Sequence, residues 1–125
     1  AGRMLKALPT PAPFSYVPLS QRKLPADSQT SFLLKPLTLS ERFDAIARAQ
    51  ARGGSAWTRA EELRASLQGW ERFGSPAGDE VPMPRGVDGL VTTEALDWIG
   101  EDLFLELSRA ASQAAAPTRE EVGKS

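Results

Sequence analysis

The sequence predicts a mainly helical α+β domain of about three helices, with an extended N-terminal arm and a short β ribbon. Three observations carry that prediction. Six of the ten prolines (Pro9, Pro11, Pro13, Pro18, Pro25, Pro36) fall in the first 37 residues. Each fixes φ and removes an amide donor, which disfavours a continuous helix there. Beyond Thr38, capping signatures precede apolar residues at helical spacing. Between these regions lies QTSFLLKPLTLSER (29–42), an apolar run set against a proline, which reads as a strand handing over directly to a helix.

Phe14 to Leu19 (FSYVPL) and Thr30 to Leu37 (TSFLLKPL) show partial alternation, with Phe14 and Tyr16 on one side and Phe32 and Leu34 on one side of their segments. They form the two strands of the expected ribbon. Pro18 and Pro36 mark where ladder pairing stops or lies on an edge. Thr38 and Glu41 then fit a capping box, in which each side chain bonds the other's amide. The first helix is expected over 39–52, with Leu39, Phe43, Ile46, Ala47 and Gln50 as its stripe and Gly53-Gly54 as its stop. A second box, Thr58 to Glu61, predicts a helix over 58–73 in which Leu63, Leu67 and Trp70 recur, ended by Gly74 and Pro76. Residues 74–91, dense in glycine and proline, form a long connection able to hold a short strand or hairpin. The last helix is expected over 93–115, capped by Thr92 or Thr93. Its stripe Leu96, Ile99, Leu103, Leu107 and Ala110 lies within about 80° on a wheel of ~100° per residue. The expected division is an arm (1–28), a domain (29–115) and a polar tail (116–125).

Composition narrows the function. A chain of 125 residues with 41% hydrophobic and 25% charged residues is ordinary for one globular domain, and no apolar stretch approaches the ~20 residues of a membrane span. Nothing near Ala1 pairs a basic start with an apolar run, so no signal peptide is expected. Charge is uneven. Residues 1–37 hold five basic side chains (Arg3, Lys6, Arg22, Lys23, Lys35) against Asp27, while residues 38–125 hold ten against fifteen acids. With a net charge of −1, nucleic acid is not expected as the main ligand. An acidic partner surface, or the acidic body of another copy, suits the arm; a merely solubilising arm is the alternative.

Catalysis finds little support. The chain has no histidine and no cysteine, which removes the usual proton shuttle, thiolate nucleophiles and two common metal ligands. Asp97 with Glu101, and Asp102 with Glu106, are spaced to share a cation, but that spacing is routine on a solvated helix face. Glu61-Glu62 reads as first-turn acid placed for the helix dipole. The glycines form neither a dinucleotide fingerprint nor a phosphate loop. No catalytic, cofactor-binding or metal-binding residues are expected. Partner contact is expected instead through Phe14, Tyr16, Phe32, Leu33 and Leu34 on the ribbon, which would offer a strand edge. Trp98 and Leu105, one heptad apart and opposite the main stripe, form a second candidate surface within an acidic face. The alternative is that the ribbon folds over them.

The run QTSFLLKPLTLSER (29–42), a helix, LQGWERF (67–73), a Gly/Pro-rich connection and a closing acidic helix containing LEL (105–107) together resemble small morphogenesis proteins of tailed bacteriophages, tail-assembly chaperones among them. The likeness spans roughly residues 29–110. It implies non-enzymatic protein contact during head-tail morphogenesis, with other phage structural proteins as partners and copies of the chain itself as further candidates. It also implies a place in the virion, or in the host cytoplasm during assembly. The basic, Pro-rich arm has no counterpart in the chaperones and points to a sibling retained in the particle, where extended arms lace neighbouring subunits. A transient chaperone shielding a tail subunit through Trp98, Leu105 and the strand edge is the second reading.

Overall fold

In the computed structural model, residues 4–114 are described; the expected polar tail and the expected helix end at Ala115 lie outside them. Residues 4–13 have no regular structure and are almost entirely exposed. Strand β1 (Phe14–Tyr16) pairs antiparallel with β2 (Ser31–Leu34), placing Phe14 opposite Leu34 and Tyr16 opposite Phe32. Between them Pro18 and Pro25 each lead into a short 3-10 turn, Leu19–Gln21 and Ala26–Ser28. The ribbon is therefore formed as expected, but it belongs to the folded body, and the arm proper ends before Phe14 instead of at residue 28.

Helix α1 (Leu39–Arg52) has the bounds its capping predicts. Thr38 Oγ1 accepts from the Glu41 amide at 3.2 Å, and Glu41 Oε1 accepts from the Thr38 amide at 2.9 Å. Lys35 pairs with the same carboxylate. Gly53, at φ 139°, ends the helix with a left-handed turn that disfavours side chains bearing Cβ. Thr38→Ala should cost ~1 kcal/mol in chemical denaturation, and an unchanged midpoint would mean that the box contributes nothing.

The side of α1 that packs inward is not the predicted one. Ala45 and Ala49 are buried, whereas Leu39, Phe43 and Ile46 face solvent with 68%, 61% and 43% exposure. Two alanines one turn apart let α1 approach α2 (Thr58–Ser66) closely. Arg48 and Arg52 flank them and reach a carboxylate on α2, so this face of α1, and not the aliphatic stripe, is the one held against α2.

The second predicted helix is two elements. No side-chain cap forms at Thr58, which is already helical behind Trp57. After Ser66 the chain extends into β3 (Leu67–Glu71), antiparallel to β2 on the side away from β1. Leu67 and Trp70 suggested a helix because they are three residues apart and share a face. Their pairing explains this: Leu34 opposes Leu67, Leu33 opposes Gly69 and Phe32 opposes Trp70, with a bulge at the Leu33/Leu34 step. The extra residue brings both large side chains inward.

The connection after β3 holds two tight turns marked by isolated bridges, Gly74 to Glu80 and Arg85 to Val91. Val91 is fully buried, and the Trp70 indole N–H donates to the Val81 carbonyl at 2.7 Å. The third predicted helix breaks into α3 (Thr93–Ile99) and α4 (Glu101–Gln113). Thr92 caps α3, its hydroxyl accepting from the Ala95 amide at 3.3 Å. Gly100 sits between them at φ 82°, a backbone shape other residues adopt only with strain. The core joins the inner sheet face to these helices through Phe32, Leu34, Leu63, Leu67, Val91, Ala95, Ile99 and Leu107. Of the predicted core, Leu63, Leu67, Ile99 and Leu107 are buried, while Trp70, Leu96 and Leu103 are partly buried against them.

Candidate partner-binding site

The ribbon residues expected to meet a partner are used inside the molecule. Phe32 and Leu34 are completely buried, and Phe14 and Tyr16 pack on the same core. The Tyr16 hydroxyl donates to Glu106 Oε2 at 2.6 Å, and the Leu19 amide donates to the same oxygen at 2.9 Å. Partial burial and the neighbouring Glu106 carboxylate both raise the Tyr16 pKa above its ordinary value. Strand β2 lies between β1 and β3, so it has no free edge, and strand addition through it is ruled out. Of the expected contact residues in this strand, Leu33, opposite Ser15 and Gly69, is the one on the outer sheet face. Leu33→Pro would break a central ladder and report on folding, not on docking.

Trp98 and Leu105 both remain accessible, at 44% and 39%. They do not form one surface. The turn at Gly100 resets the helical phase between them. Trp98 lies beside Trp70 with ring centroids 6.4 Å apart, at the edge of an aromatic group that includes Phe32 and Phe73. Leu105 lies in a cleft of about 380 Å³, bordered by α1, α2 and α4.

That cleft is lined by Leu37, Leu63 and Leu105 together with Arg42, Arg59 and Arg109 and one acid, Glu62. Arg42 pairs with Glu62 at 3.4 Å; no ion pair is formed by Arg59 or Arg109 among the described residues. The hydroxyl of Ser108, also on the wall, is buried without a hydrogen-bond partner. Beside Trp98, by contrast, Glu94, Asp97, Glu101 and Asp102 are exposed carboxylates on the α3–α4 corner. These add to the exposed apolar face of α1, which lay hidden in the sequence behind its resemblance to a core stripe.

Glu61 has a structural role that sequence reasoning missed. Its side chain has no solvent exposure. Arg48 Nε lies 2.8 Å and Arg64 Nη1 2.7 Å from Oε1, and Arg52 Nε forms an ion pair 2.5 Å from Oε2. Arg64 also donates to the Val91 carbonyl at 2.7 Å and pairs with Asp88 at 3.0 Å. Burial by itself would raise the Glu61 pKa, but the surrounding arginines outweigh it and hold the carboxyl below its ordinary value. The network locks α1, α2 and the connection before α3 together. Among the described residues, no three acidic side chains are grouped to hold a metal, and no helix is long and apolar enough to cross a membrane.

No protein-family model, curated protein or solved structure matches the chain.

Proposed function

We propose that the protein is a non-enzymatic structural or assembly protein of a tailed bacteriophage, acting through protein–protein contacts in head-tail morphogenesis and retained in the virion. The observation that carries the contact reading is α1, which turns Leu39, Phe43 and Ile46 to solvent at one-turn spacing. Large apolar side chains in a row on an exposed helix are the usual anchors of helix-in-groove recognition. The resemblance over residues 29–110 supplies the setting, and the exposed arm supplies a segment able to reach a neighbour. Other phage structural proteins are the partners in this reading. The transient chaperone remains the second reading, because the same apolar face would suit shielding of an unassembled tail subunit.

Mass spectrometry of particles purified from the lysate tests the proposal. Stoichiometric presence supports the structural role. Absence from particles, with recovery in complex with a tail subunit, supports the chaperone. Absence from both removes the phage reading. Phe43→Asp, which leaves the buried alanine face untouched, should lower incorporation at least ~10-fold with the helical signal unchanged; unaltered incorporation would exclude α1 as the contact face.

A further inference from the structure

We propose that the arginine-lined cleft is a docking site for the Trp98 corner of a second copy of this chain. The inference rests on the contact reading above and names the partner. The chemistry the cleft selects is an apolar side chain flanked by carboxylates. Leu37, Leu63 and Leu105 provide apolar lining, Arg59 and Arg109 provide positive charge with no ion pair among the described residues, and the buried Ser108 hydroxyl provides an unused donor. The chain carries the complement on its own surface. Trp98 is 44% exposed and rests against Trp70 with the rings tilted at 52°, which limits its freedom before contact. Glu94 and Asp97 on α3 and Glu101 and Asp102 at the start of α4 share this corner, exposed and without ion pairs among the described residues.

The two surfaces lie toward opposite ends of α4, whose thirteen residues span about 20 Å at 1.5 Å per residue. The contact is therefore between two different patches, one from each copy. Each copy offers both a corner and a cleft, and each cleft is completed by a residue of its neighbour. Closure as a two-fold pair or as a ring follows from the rotation between copies. Paired carboxylate and guanidinium groups around a central tryptophan match the composition of interface hot spots, in which Trp and Arg dominate.

Charge exchange tests this directly. One variant carries Arg59→Glu and Arg109→Glu; the other carries Glu94→Lys, Asp97→Lys and Glu101→Lys. All five positions are exposed, and circular dichroism checks that each variant is folded. Sedimentation velocity of the full chain at about 0.1 mM in low salt should find the native protein associated, with association weakening at least ~10-fold as salt rises toward about 0.5 M. Each variant alone should be monomeric, because its corner and cleft then carry the same sign. Their equimolar mixture should associate again, since each corner then meets an oppositely charged cleft. A native protein that is monomeric in low salt, variants that still associate alone, or a mixture that stays monomeric would each overturn the proposal. If a variant fails to fold, the salt dependence of the native protein decides alone, and salt-insensitive association counts against it. Incorporation of the cleft variant into particles separates the two levels: a loss there with a monomeric native chain retains contact function but rejects self-docking.

Discussion

Replacing Glu61 by glutamine should lower unfolding free energy at pH 7 by about 3 kcal/mol, the lower end of the cost of breaking a buried ion pair. The carboxylate has no solvent exposure, and its partner Arg64 is only 6% exposed, so the guanidinium cannot recover the loss in water. Arg48 and Arg52 are 27% and 35% exposed and can turn outward, which keeps the cost from the upper end. Arg52→Gln is the internal control and should cost under ~1 kcal/mol. The pH dependence follows from the same pair. Because the folded pKa lies below the unfolded value of roughly 4.3, the stabilisation is fully present above that value and is lost as pH falls through the folded pKa. Urea titrations from neutral pH into the acid range should therefore show a shallower acid loss in Glu61→Gln than in the native protein. A cost below ~1 kcal/mol with an unchanged acid limb would show that the arginines do not depend on this carboxylate.

The legible parts of the fold were those in which local chemistry and tertiary packing agree. The Thr38–Glu41 box and Gly53 set both ends of α1 without help from the core, and those ends are where the capping signals place them. Its inward face could not be read in the same way. Leu39, Phe43 and Ile46 have ordinary core spacing, and only Ala45 and Ala49 beside Arg48 and Arg52 indicate that the opposite face approaches another helix. Arginines at that spacing, with Glu61 and Arg64 further along, are the sequence trace of the buried network, but a first-turn glutamate has a sufficient local explanation in the helix dipole.

The two broken helices were hidden for different reasons. In 58–73 the bulge at Leu33/Leu34 gives a strand the spacing of a helix, so no window of β3 alone could reveal it. In 93–115 the residues Leu96, Ile99, Leu103 and Leu107 keep helical spacing across Gly100 in the sequence, so the stripe hides the turn that separates Trp98 on α3 from Leu105 on α4. The candidate ribbon site failed for a related reason. Alternation correctly separated Phe32 and Leu34 from Leu33, but which face meets the core depends on α3 and α4, which the segment itself does not contain.

Phe32→Ala should produce the largest loss of any truncation in the sheet, ~3–5 kcal/mol in urea unfolding. The ring has no solvent exposure and makes edge contacts with Trp70 and Phe73 at centroid distances of 6.2 and 5.5 Å. Its removal leaves a cavity that those rings cannot both fill, because Trp70 is tied by its indole N–H to Val81. The near-ultraviolet dichroism should fall with it, since Trp70 and Trp98 lose the support that holds their rings at a fixed angle. Leu33→Ala, one residue along on the outer face, should cost under ~1 kcal/mol and leave that spectrum unchanged. The contrast is the measurement that tests the register, because the two positions share one strand between the same two partner strands and differ in the face they present. Equal losses at the two positions would place both faces of β2 under cover, and a larger loss at Leu33 would turn the strand over and expose the aromatic group to solvent.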